Sequence, residues 1–419
     1  MSQITASSVI PVHAAPQGQP GEGWIRPGTV EHRRAGTALF LAGFASFSLI
    51  YCVQPLLPSF AEDFGIGAAR SSLALSLTTG LLAFSIMVAG ALSQAVGRRE
   101  LMFASMLLAA ALNLVAAFAP GWNGFLAARA LEGIVLGGVP AVAMAWLAEE
   151  IHPAHLGRTM GLYVAGTAFG AMIGRVGMGL MTEIASWRVA LATLGILCIL
   201  SAIGFLVLLP RSRNFVAQPG LSLQFHLQAW RGHLRNRRLW RPYATGAILT
   251  GVFVTLFNYA TFRLAGAPFG FDQTQISFIF LAFAIGCVSS TAAGRLVGRF
   301  GRRTMLMAGF AIMLAGVGLT LSPALPVIIL GIVLVTVGFF INHSVTSSSV
   351  GPLAGHNRGH AASLYLLFYY LGASLMGWLG GWFWQAGGWP AVVGLTGALA
   401  LTGPVSYTHL RAHETRHDL

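Results

Sequence analysis

A ten-residue segment occurs twice in this chain, and the two copies lie 204 residues apart. The first copy, at residues 90–99, reads GALSQAVGRR, and the second copy, at residues 294–303, reads GRLVGRFGRR. Each copy follows one long apolar stretch and precedes another. The repeat therefore predicts that the chain consists of two copies of one membrane-embedded unit.

The apolar stretches are long enough to cross a bilayer, which takes about 20 mostly apolar residues in a helix. Twelve candidate spans are found at residues 35–61, 71–93, 101–119, 123–148, 159–182, 189–209, 242–266, 275–297, 304–321, 325–350, 361–385 and 389–404. The gaps between some neighbours are so short that those helices must be antiparallel. The predicted fold is an all-α integral membrane protein with two pseudo-symmetric six-helix bundles, residues 35–210 and 242–405.

The composition supports a membrane protein and excludes several other classes. Charged residues make up 9% of the chain, against roughly 25% in soluble proteins. The net charge of +13 does not indicate nucleic acid binding, because the arginines lie in short loops between apolar stretches. The chain has no Lys, which argues against an ATP-binding P-loop. We expect no cofactor, and the three cysteines predict no disulfide because they lie within apolar stretches.

The arginines also predict the orientation, because positive residues concentrate in cytoplasmic loops. With the N-terminus in the cytoplasm, the inner loops carry Arg26, Arg33, Arg34, Arg98, Arg99, Arg158, Arg211, Arg213, Arg231, Arg235, Arg237, Arg238, Arg241, Arg299, Arg302, Arg303 and Arg358. The outer loops carry only Arg70 and Arg188. Both termini are therefore expected in the cytoplasm. The outer surface of the helices is expected to contact the lipid bilayer.

Three segments lie outside the bundles. Residues 1–34 are polar and predict a disordered cytoplasmic tail. In the linker, residues 211–241, apolar residues at helical spacing predict a helix on the membrane surface, with a solvated linker as the alternative. Residues 406–419 change composition abruptly and resemble translated adapter sequence, so we expect a non-native tail and a truncated last helix; the alternative is a genuine polar tail. In the linker, the apolar residues at helical spacing are Leu223, Leu227, Trp230 and Leu234.

Polar residues inside a membrane span are costly and are usually functional. Arg129 and Glu132 are three residues apart in the fourth span, and Arg175 lies at a similar depth in the fifth. We therefore predict that Glu132 bridges Arg129 and Arg175, which leaves one uncompensated positive charge that would favour an anionic substrate. The other candidate cavity residues are Tyr51 and Gln54 in the first span, Asn258, Tyr259 and Arg263 in the seventh, and Asn342 and His343 in the tenth.

The repeated loops are predicted to form tight turns whose arginines pair with acids on a neighbouring helix. Glu149 and Glu150 end the fourth span on the same side of the membrane, within reach of arginines from adjacent loops. The alternative is simple anchoring of the chain by positive charge. The candidate gate residues are Gly90, Gln94, Gly97, Arg98, Arg99, Glu149, Glu150, Arg158, Gly294, Gly301, Arg302 and Arg303.

These motifs resemble those of the major facilitator superfamily. The repeated loop resembles the signature between the second and third helices, and the Arg129, Glu132 and Gly133 pattern resembles the fourth-helix motif with Glu in place of Gln. The resemblance covers residues 35–404. Residues 51–58, 149–153 and 161–175 resemble one branch more closely, the YnfM-type inner-membrane transport proteins, which are loosely described as efflux permeases.

The resemblance implies a bacterial inner-membrane location, a cavity lined by spans one, four, seven and ten, and a cytoplasmic gate at the repeated loops. Two departures limit what carries over. The family usually has Asp at the fifth loop position, where this chain has Gln94 and Gly298. Drug exporters often have Gly-Pro where this chain has Gly174 and Arg175, which weakens a drug-pump assignment.

The resemblance favours a secondary transporter that moves a small organic solute by alternating access, with proton-coupled efflux as the leading interpretation. Proton-coupled uptake is the first alternative. A membrane sensor or enzyme without transport is the second, and Glu149, Glu150, His152 and His155 lack the spacing of metal ligands that would support it. The expected partners are a small-molecule substrate and protons, and we expect a monomer with no nucleic acid partner.

Overall fold

A computed structural model describes residues 24–26, 28–215 and 223–408. Within these residues the chain is helical apart from short connections and one isolated parallel β-bridge between Ile25 and Ile151. In the described part of the chain, eleven helices are long and apolar enough to cross a membrane. The predicted all-α membrane fold is confirmed in the part of the chain that the structure describes.

Six spans form the N-terminal half. Span 1 is Val30–Tyr51, continued by a 3-10 turn Gln54–Leu56 and a short helix Leu57–Asp63. Spans 2, 3, 5 and 6 are Ala68–Val96, Arg98–Phe118, Pro153–Ile184 and Trp187–Leu208. Span 4 consists of two helices, Gly121–Val135 and Gly138–Glu150.

The C-terminal half repeats this pattern after the linker helix, Leu223–Arg235. Span 7 is Arg237–Ala265, and span 8 runs through Gln273–Ser277, the 3-10 turn Phe278–Leu281 and Ala282–Phe300. Spans 9 and 10 are Arg302–Leu319 and Leu325–Ala354. The last helical stretch, Arg358–Thr408, is interrupted by non-helical backbone at Gly387 and Gly388. This interruption falls between the eleventh and twelfth predicted spans, so the eleven long helices contain twelve spans.

The duplication is visible in the packing of the two halves. Gly170 of span 5 lies against the backbone of span 1, where an added Cβ would be 2.3 Å from the Phe44 carbonyl oxygen. Gly372 of span 11, the equivalent residue, lies against span 7, where an added Cβ would be 2.2 Å from the Ala247 carbonyl oxygen. Small residues allow helix backbones to approach this closely. The same close contact therefore holds the same pair of helices together in each half.

Span 4 is broken beside glycine and proline residues. Pro140 lies in the first turn of the second helix and has no backbone N–H to donate. Hydroxyl groups of neighbouring spans donate to carbonyl groups at the break, Ser85 to Ile134 and Ser105 to Val135, the latter at 2.6 Å. Such side-chain donors satisfy backbone oxygens that water cannot reach inside a membrane.

Two predicted segments differ from the structure. Part of the predicted disordered tail is ordered, because span 1 begins at Val30 and the Ile25 amide donates to the Glu150 carbonyl oxygen at 2.8 Å. Span 7 begins at Arg237 rather than at residue 242, and Pro242 is accommodated within it. Of the predicted non-native tail, residues 406–408 continue the last helix and residues 409–419 lie outside the described part, so that prediction stays untested.

The linker helix is present, but the residues of its predicted apolar face differ in their exposure. Leu223, Leu227 and Leu234 are exposed, whereas Trp230 packs against span 11 and donates to the Ser363 hydroxyl oxygen at 3.2 Å. His226 and His233 are the buried residues of this helix. The helix therefore docks on the C-terminal half by its histidine face and leaves its leucines uncovered.

Candidate functional site

The two halves meet along a seam that is closed at one end. We call the end that carries Arg98, Arg302 and their loops the arginine-rich end, and the other the opposite end. Towards the opposite end, Gln273 of span 8 donates to the Ser59 hydroxyl oxygen at 2.7 Å and to the Glu183 carboxylate at 3.1 Å. Deeper in the seam, Ser374 of span 11 donates to the Ser76 carbonyl oxygen of span 2 at 2.7 Å.

Arg175 of span 5 lies in the seam with its guanidinium enclosed by aromatic rings. Its Cζ atom is 4.1 Å from the centroid of the Tyr51 ring, 4.6 Å from that of Phe283 and 5.1 Å from that of Phe280. Arg175 is 1% exposed. Tyr51 belongs to the N-terminal half and the two phenylalanines to the C-terminal half. A cation of one half is thus covered by rings of both halves, an arrangement that cation–π attraction favours.

Gln54 connects this cation to the other half. The Arg175 Nε–H donates to Gln54 Oε1 at 2.7 Å, and Gln54 Nε2 donates to Asn258 Oδ1 of span 7 at 2.8 Å. Arginine has no acceptor, so the direction of the Gln54 amide is fixed by Arg175 and fixes that of Asn258 in turn. The Asn258 Nδ2 atom is left buried with no partner. Gln54 and Asn258 are 204 residues apart, the period of the loop repeat, so equivalent positions of spans 1 and 7 meet in the seam.

Arg129 and Glu132 form a fully buried ion pair inside the N-terminal half. Arg129 Nη1 donates to Glu132 Oε2 at 2.5 Å, and Arg129 Nη2 donates to the carbonyl oxygens of Leu49 at 3.2 Å and Ile50 at 3.3 Å. Arg129 therefore satisfies carbonyl groups at the end of the first helix of span 1. The predicted bridge from Glu132 to Arg175 is wrong, because Glu132 Oε1 has no partner and Arg175 is bound by Gln54 and the Ala171 carbonyl oxygen.

Two of the predicted cavity residues of span 7 face other helices. The Tyr259 hydroxyl donates to the Gly377 carbonyl oxygen of span 11 at 2.7 Å. Arg263 lies near the opposite end, where its guanidinium donates to the carbonyl oxygens of Thr320 and Ser322 and lies against the Trp389 ring. Arg263 therefore caps the end of span 9 and does not reach the Arg175 site.

The two predicted cavity residues of span 10 also contact neighbouring helices of the C-terminal half. The Asn342 amide lies between spans 9 and 10, with its two terminal atoms 3.0 Å from the Leu306 carbonyl oxygen and 3.0 Å from the Phe310 backbone nitrogen. His343 faces span 11, with its Nδ1 atom 3.0 Å from the Tyr365 hydroxyl and its ring stacked on Phe339. Asn342 thus contributes to the packing of span 9 against span 10. His343 belongs to an aromatic cluster of the C-terminal half.

At the arginine-rich end, the first loop contains one strong ion pair. Arg98 binds Glu149 through Nε at 2.5 Å and through Nη2, and its Nη1 atom donates to the Ser93 hydroxyl oxygen at 2.9 Å. Gln94, Arg98 and Glu149 line a cavity of about 370 Å³ together with residues of the linker helix and the C-terminal half. Those further lining residues include Phe225, Asn357, Gly359 and His360. A cavity therefore lies between the halves at this end.

The neighbouring predicted gate residues bind backbone. Arg99 donates to the carbonyl oxygens of Leu206 at 2.6 Å and Leu209 at 3.1 Å, at the end of span 6. The Glu150 carboxylate accepts from the Arg213 and Asn214 amides, with distances of 3.0 Å. Arg158 is exposed, and among the described residues it forms no ion pair with Glu149 or Glu150.

The repeated loops share a turn but differ in charge pairing. Gly97 has φ +104° and Gly301 has φ +78°, values that glycine adopts without strain. Each glycine separates two long helices, which confirms the predicted tight turns. Gly90 approaches Ala141, whereas nothing lies within reach of a Cβ added at Gly294. Within the described residues, Arg302 and Arg303 form no ion pair, so only the first copy of the loop is tied to an acid.

The part of the site that comes from span 8 and the linker helix was not predictable from sequence patterns. In the sequence, Phe280 and Phe283 do not differ from the other apolar residues of a membrane span. Only the fold places their rings over Arg175. The contact between Gln54 and Asn258 left a signal, since both are amides separated by the repeat period. In the described part of the chain, no group of three or more His, Cys, Asp or Glu side chains is arranged to hold a metal ion.

The comparison with protein families agrees with this architecture. The model described as Major Facilitator Superfamily matches residues 39–267 and 263–418. The chain belongs to this superfamily, and it is a transporter rather than an enzyme.

Two curated relatives cover most of the chain. The chain is 43% identical over 372 residues to "Uncharacterized MFS-type transporter YybF" of Bacillus subtilis (strain 168), which spans 89% of this chain and 92% of the relative. It is 42% identical over 378 residues to "Inner membrane transport protein YnfM" of Escherichia coli (strain K12), with 89% of both chains covered. These relatives and the apolar helices support a multi-pass inner-membrane transporter.

Solved structures share the fold at low sequence identity. The human organic anion transporter MFSD10 (TETRAN) matches with a TM-score of 0.71 and 18% identity, covering 90% of this chain and 99% of its own. A point mutant of the nucleoside transporter NupG matches with a TM-score of 0.75 and 12% identity, covering 91% of this chain and 99% of its own. At these identities the likeness shows the fold alone.

Proposed function

We propose that the chain exports a small organic solute from the cytoplasm by alternating access, driven by proton entry. The observation that carries the proposal is the asymmetry of the seam. Buried hydrogen bonds join the halves towards the opposite end, while a cavity lies between them at the arginine-rich end. With that end in the cytoplasm, as the arginine distribution favours, a cytoplasmic solute can reach the seam in this state.

The arginine-rich end would act as the gate. Arg98 and Glu149 lie on the wall of the cavity and belong to the N-terminal half, so their ion pair positions the loop rather than closing the seam by itself. Closure would bring this wall towards Asn357 and His360 of the other half. A single copy of the protein contains both halves, and we propose that it works as a monomer.

Glu132 is the candidate for proton coupling. Within the described residues it is the only acid deep within a span, and one of its oxygens has no partner there. Its ion pair with Arg129 opposes this role, because a nearby positive charge favours the ionised carboxylate. A solute or a change of state that draws Arg129 away would allow Glu132 to take up a proton.

The test is transport in everted membrane vesicles, with a panel of small organic solutes and an imposed proton gradient. Accumulation of a solute that collapses with the gradient supports proton-coupled export. Accumulation in right-side-out vesicles instead supports uptake, and no gradient-dependent movement in either orientation contradicts coupled transport.

The role of Glu132 is tested by Glu132→Gln in the same vesicles, with Glu100→Gln, an exposed acid, as the control. Loss of gradient-driven transport with retained downhill exchange would support coupling through Glu132. Full gradient-driven transport by the Glu132→Gln variant would exclude it.

A further inference from the structure

We propose that Arg175 binds the carboxylate of a small organic acid, and that the carboxylate takes the place of Gln54 on the guanidinium. The inference rests on the proposed transport function, since it names the substrate class of that site. It is carried by the geometry of Arg175, Gln54 and Asn258.

The first argument is the missing counter-ion. Removing a charge from water is expensive unless an opposite charge or several hydrogen bonds compensate it. Arg175 is almost completely buried, and among the described residues it forms no ion pair. Arg129, the other deeply buried arginine, has Glu132 as its partner. Arg175 is therefore a buried cation whose anion is not supplied by the described part of the chain.

Secondly, the side chain that accepts a hydrogen bond from the Arg175 guanidinium is neutral. Arg175 uses its Nε on Gln54 and its Nη1 on the Ala171 carbonyl oxygen at 2.5 Å. A guanidinium has five N–H donors in a fork that matches a carboxylate. The neutral oxygen of Gln54 holds one position of that fork, and a hydrogen bond to an anion is roughly twice as strong as one to a neutral acceptor. A carboxylate can therefore displace the Gln54 oxygen.

The third argument is an unused donor next to the same amide. Asn258 Nδ2 is buried and has no partner in the part of the chain that the structure describes, although Asn258 Oδ1 is held by Gln54. The pairing direction that Arg175 imposes leaves this N–H group free. A carboxylate beside Arg175 has lone pairs to spare, so the Asn258 amide, released from Gln54, can donate to it. Leaving such a donor unsatisfied costs free energy, which an arriving acceptor would recover.

The aromatic rings around Arg175 favour one kind of organic group attached to the bound carboxylate. Tyr51, Phe280 and Phe283 cover the guanidinium and offer apolar faces on both sides of the seam. An organic acid with an aromatic body fits these walls better than a small inorganic anion does. Displacement of Gln54 also weakens its bond to Asn258, which joins the halves, so binding would loosen the seam.

The experiment measures binding to the purified full-length protein in lipid nanodiscs, with benzoate as the probe and benzamide as its uncharged match. We expect benzoate to raise the melting temperature in a saturable way and benzamide to have little effect. Arg175→Gln should weaken benzoate binding at least tenfold. Arg263→Gln, which removes a partly buried arginine outside the site, is the control and should leave the affinity unchanged.

A pair of Gln54 variants separates binding from folding. Gln54→Glu supplies a built-in carboxylate to Arg175 and should abolish benzoate binding while keeping the protein folded. Gln54→Leu removes the competing oxygen and should bind benzoate as tightly as the original chain or a few times more tightly.

Equal affinity for benzoate and benzamide, no benzoate effect on the original chain, or unchanged benzoate affinity in Gln54→Glu would overturn the assignment. Binding is measured without transport, so failure of the vesicle assay alone would contradict the proposed export and leave this inference standing.

Discussion

Arg129 and Arg175 show how two buried arginines of one bundle take different roles. Arg129 has a carboxylate and three backbone carbonyl groups as partners, all within the N-terminal half. Arg175 has a neutral amide and aromatic rings, and these partners extend to the other half. The first arrangement stabilises a half, and the second lies where the halves must part.

The first prediction concerns Glu132. Glu132→Ala leaves Arg129 as a buried charge without its partner, and breaking such a pair costs about 3–5 kcal/mol. We expect a correspondingly lower free energy of unfolding, measured by denaturant titration of the purified protein. Glu100→Ala removes an exposed acid and should change stability by less than about 0.5 kcal/mol. Equal stability of the two variants would show that the Arg129 pair does not support the fold.

The second prediction concerns Gln94, where the superfamily usually has Asp. Gln94 lines the same cavity as Arg98, so Gln94→Asp adds a carboxylate near a cation that already binds Glu149. We expect a shift of about 1 kcal/mol towards the state closed at the arginine-rich end, because the site is partly solvated. Disulfide cross-linking between spans 2 and 11 at that end should rise in Gln94→Asp and not in Gln94→Asn. Unchanged cross-linking would contradict the prediction.

At the scale of elements, the glycines of span 5 decide how closely it approaches span 1. A methyl group at Gly170 would meet the Phe44 backbone, whereas nothing lies near a Cβ added at Gly177. Gly170→Ala should lower the free energy of unfolding by about 1–3 kcal/mol, as overpacked sites do. Gly177→Ala is the matched control and should be neutral or slightly stabilising. The same titration checks both, and a neutral Gly170→Ala would show that spans 1 and 5 can separate without loss.

The linker helix should release from the C-terminal half as the pH falls. His226 Nδ1 lies 2.8 Å from His360 Nε2, and the rings of Phe225 and Trp230 surround the pair. Burial lowers the pKa of His226 below its ordinary value of 6.5, so the docked helix binds fewer protons than the free helix. Docking is therefore strongest above pH 6.5 and weakens as the pH falls through and below that value.

Hydrogen–deuterium exchange of Leu223–Arg235 checks this dependence. Protection should fall between about pH 7.5 and about pH 5.5 in the original chain, since the ordinary histidine pKa lies between these values. The fall should be smaller in His226→Gln, which keeps a polar partner for His360 without titrating. Equal loss of protection in both proteins would assign the pH effect to another group, such as His360, which lies against His226.

The elements themselves were largely predictable from the sequence, and their contacts were not. Periodic apolar stretches indicate twelve spans because a bilayer demands helices of a fixed length, and the loop repeat indicates two halves. The bridge between Glu132 and Arg175 was predicted from equal depth alone. Depth does not tell which way a side chain points around a helix, and Arg175 points to the seam, where Gln54 and the span 8 rings lie.

The linker helix illustrates the same limit. Its leucines at helical spacing predicted the helix, but the histidines that dock it have no apolar signal. Their contact depends on the position of span 11, which is far away in the sequence. Similarly, Arg263 and Asn342 are polar residues of expected cavity spans, yet the rotation of those helices turns them towards neighbours in their own half.

At the scale of the whole molecule, the account requires the two ends of the seam to open in turn. Glu62 and Ala267 are exposed residues of the two halves at the opposite end, and Arg158 and Arg358 are exposed residues of the two halves at the arginine-rich end. Paired cysteines at these positions, in a background without the natural cysteines, report the width of each end through spin labels. The buried Gln54–Asn258 bond lies between the two pairs along the seam.

The most direct test of alternating access is therefore the pair of spin-label distances in nanodiscs, with and without benzoate. The account predicts that the ligand lengthens the distance between positions 62 and 267 and shortens the distance between positions 158 and 358 within the same sample. In Gln54→Leu the same shift should already be present in part without ligand. Distances that stay fixed at both ends, or that lengthen together, would contradict alternating access around this seam.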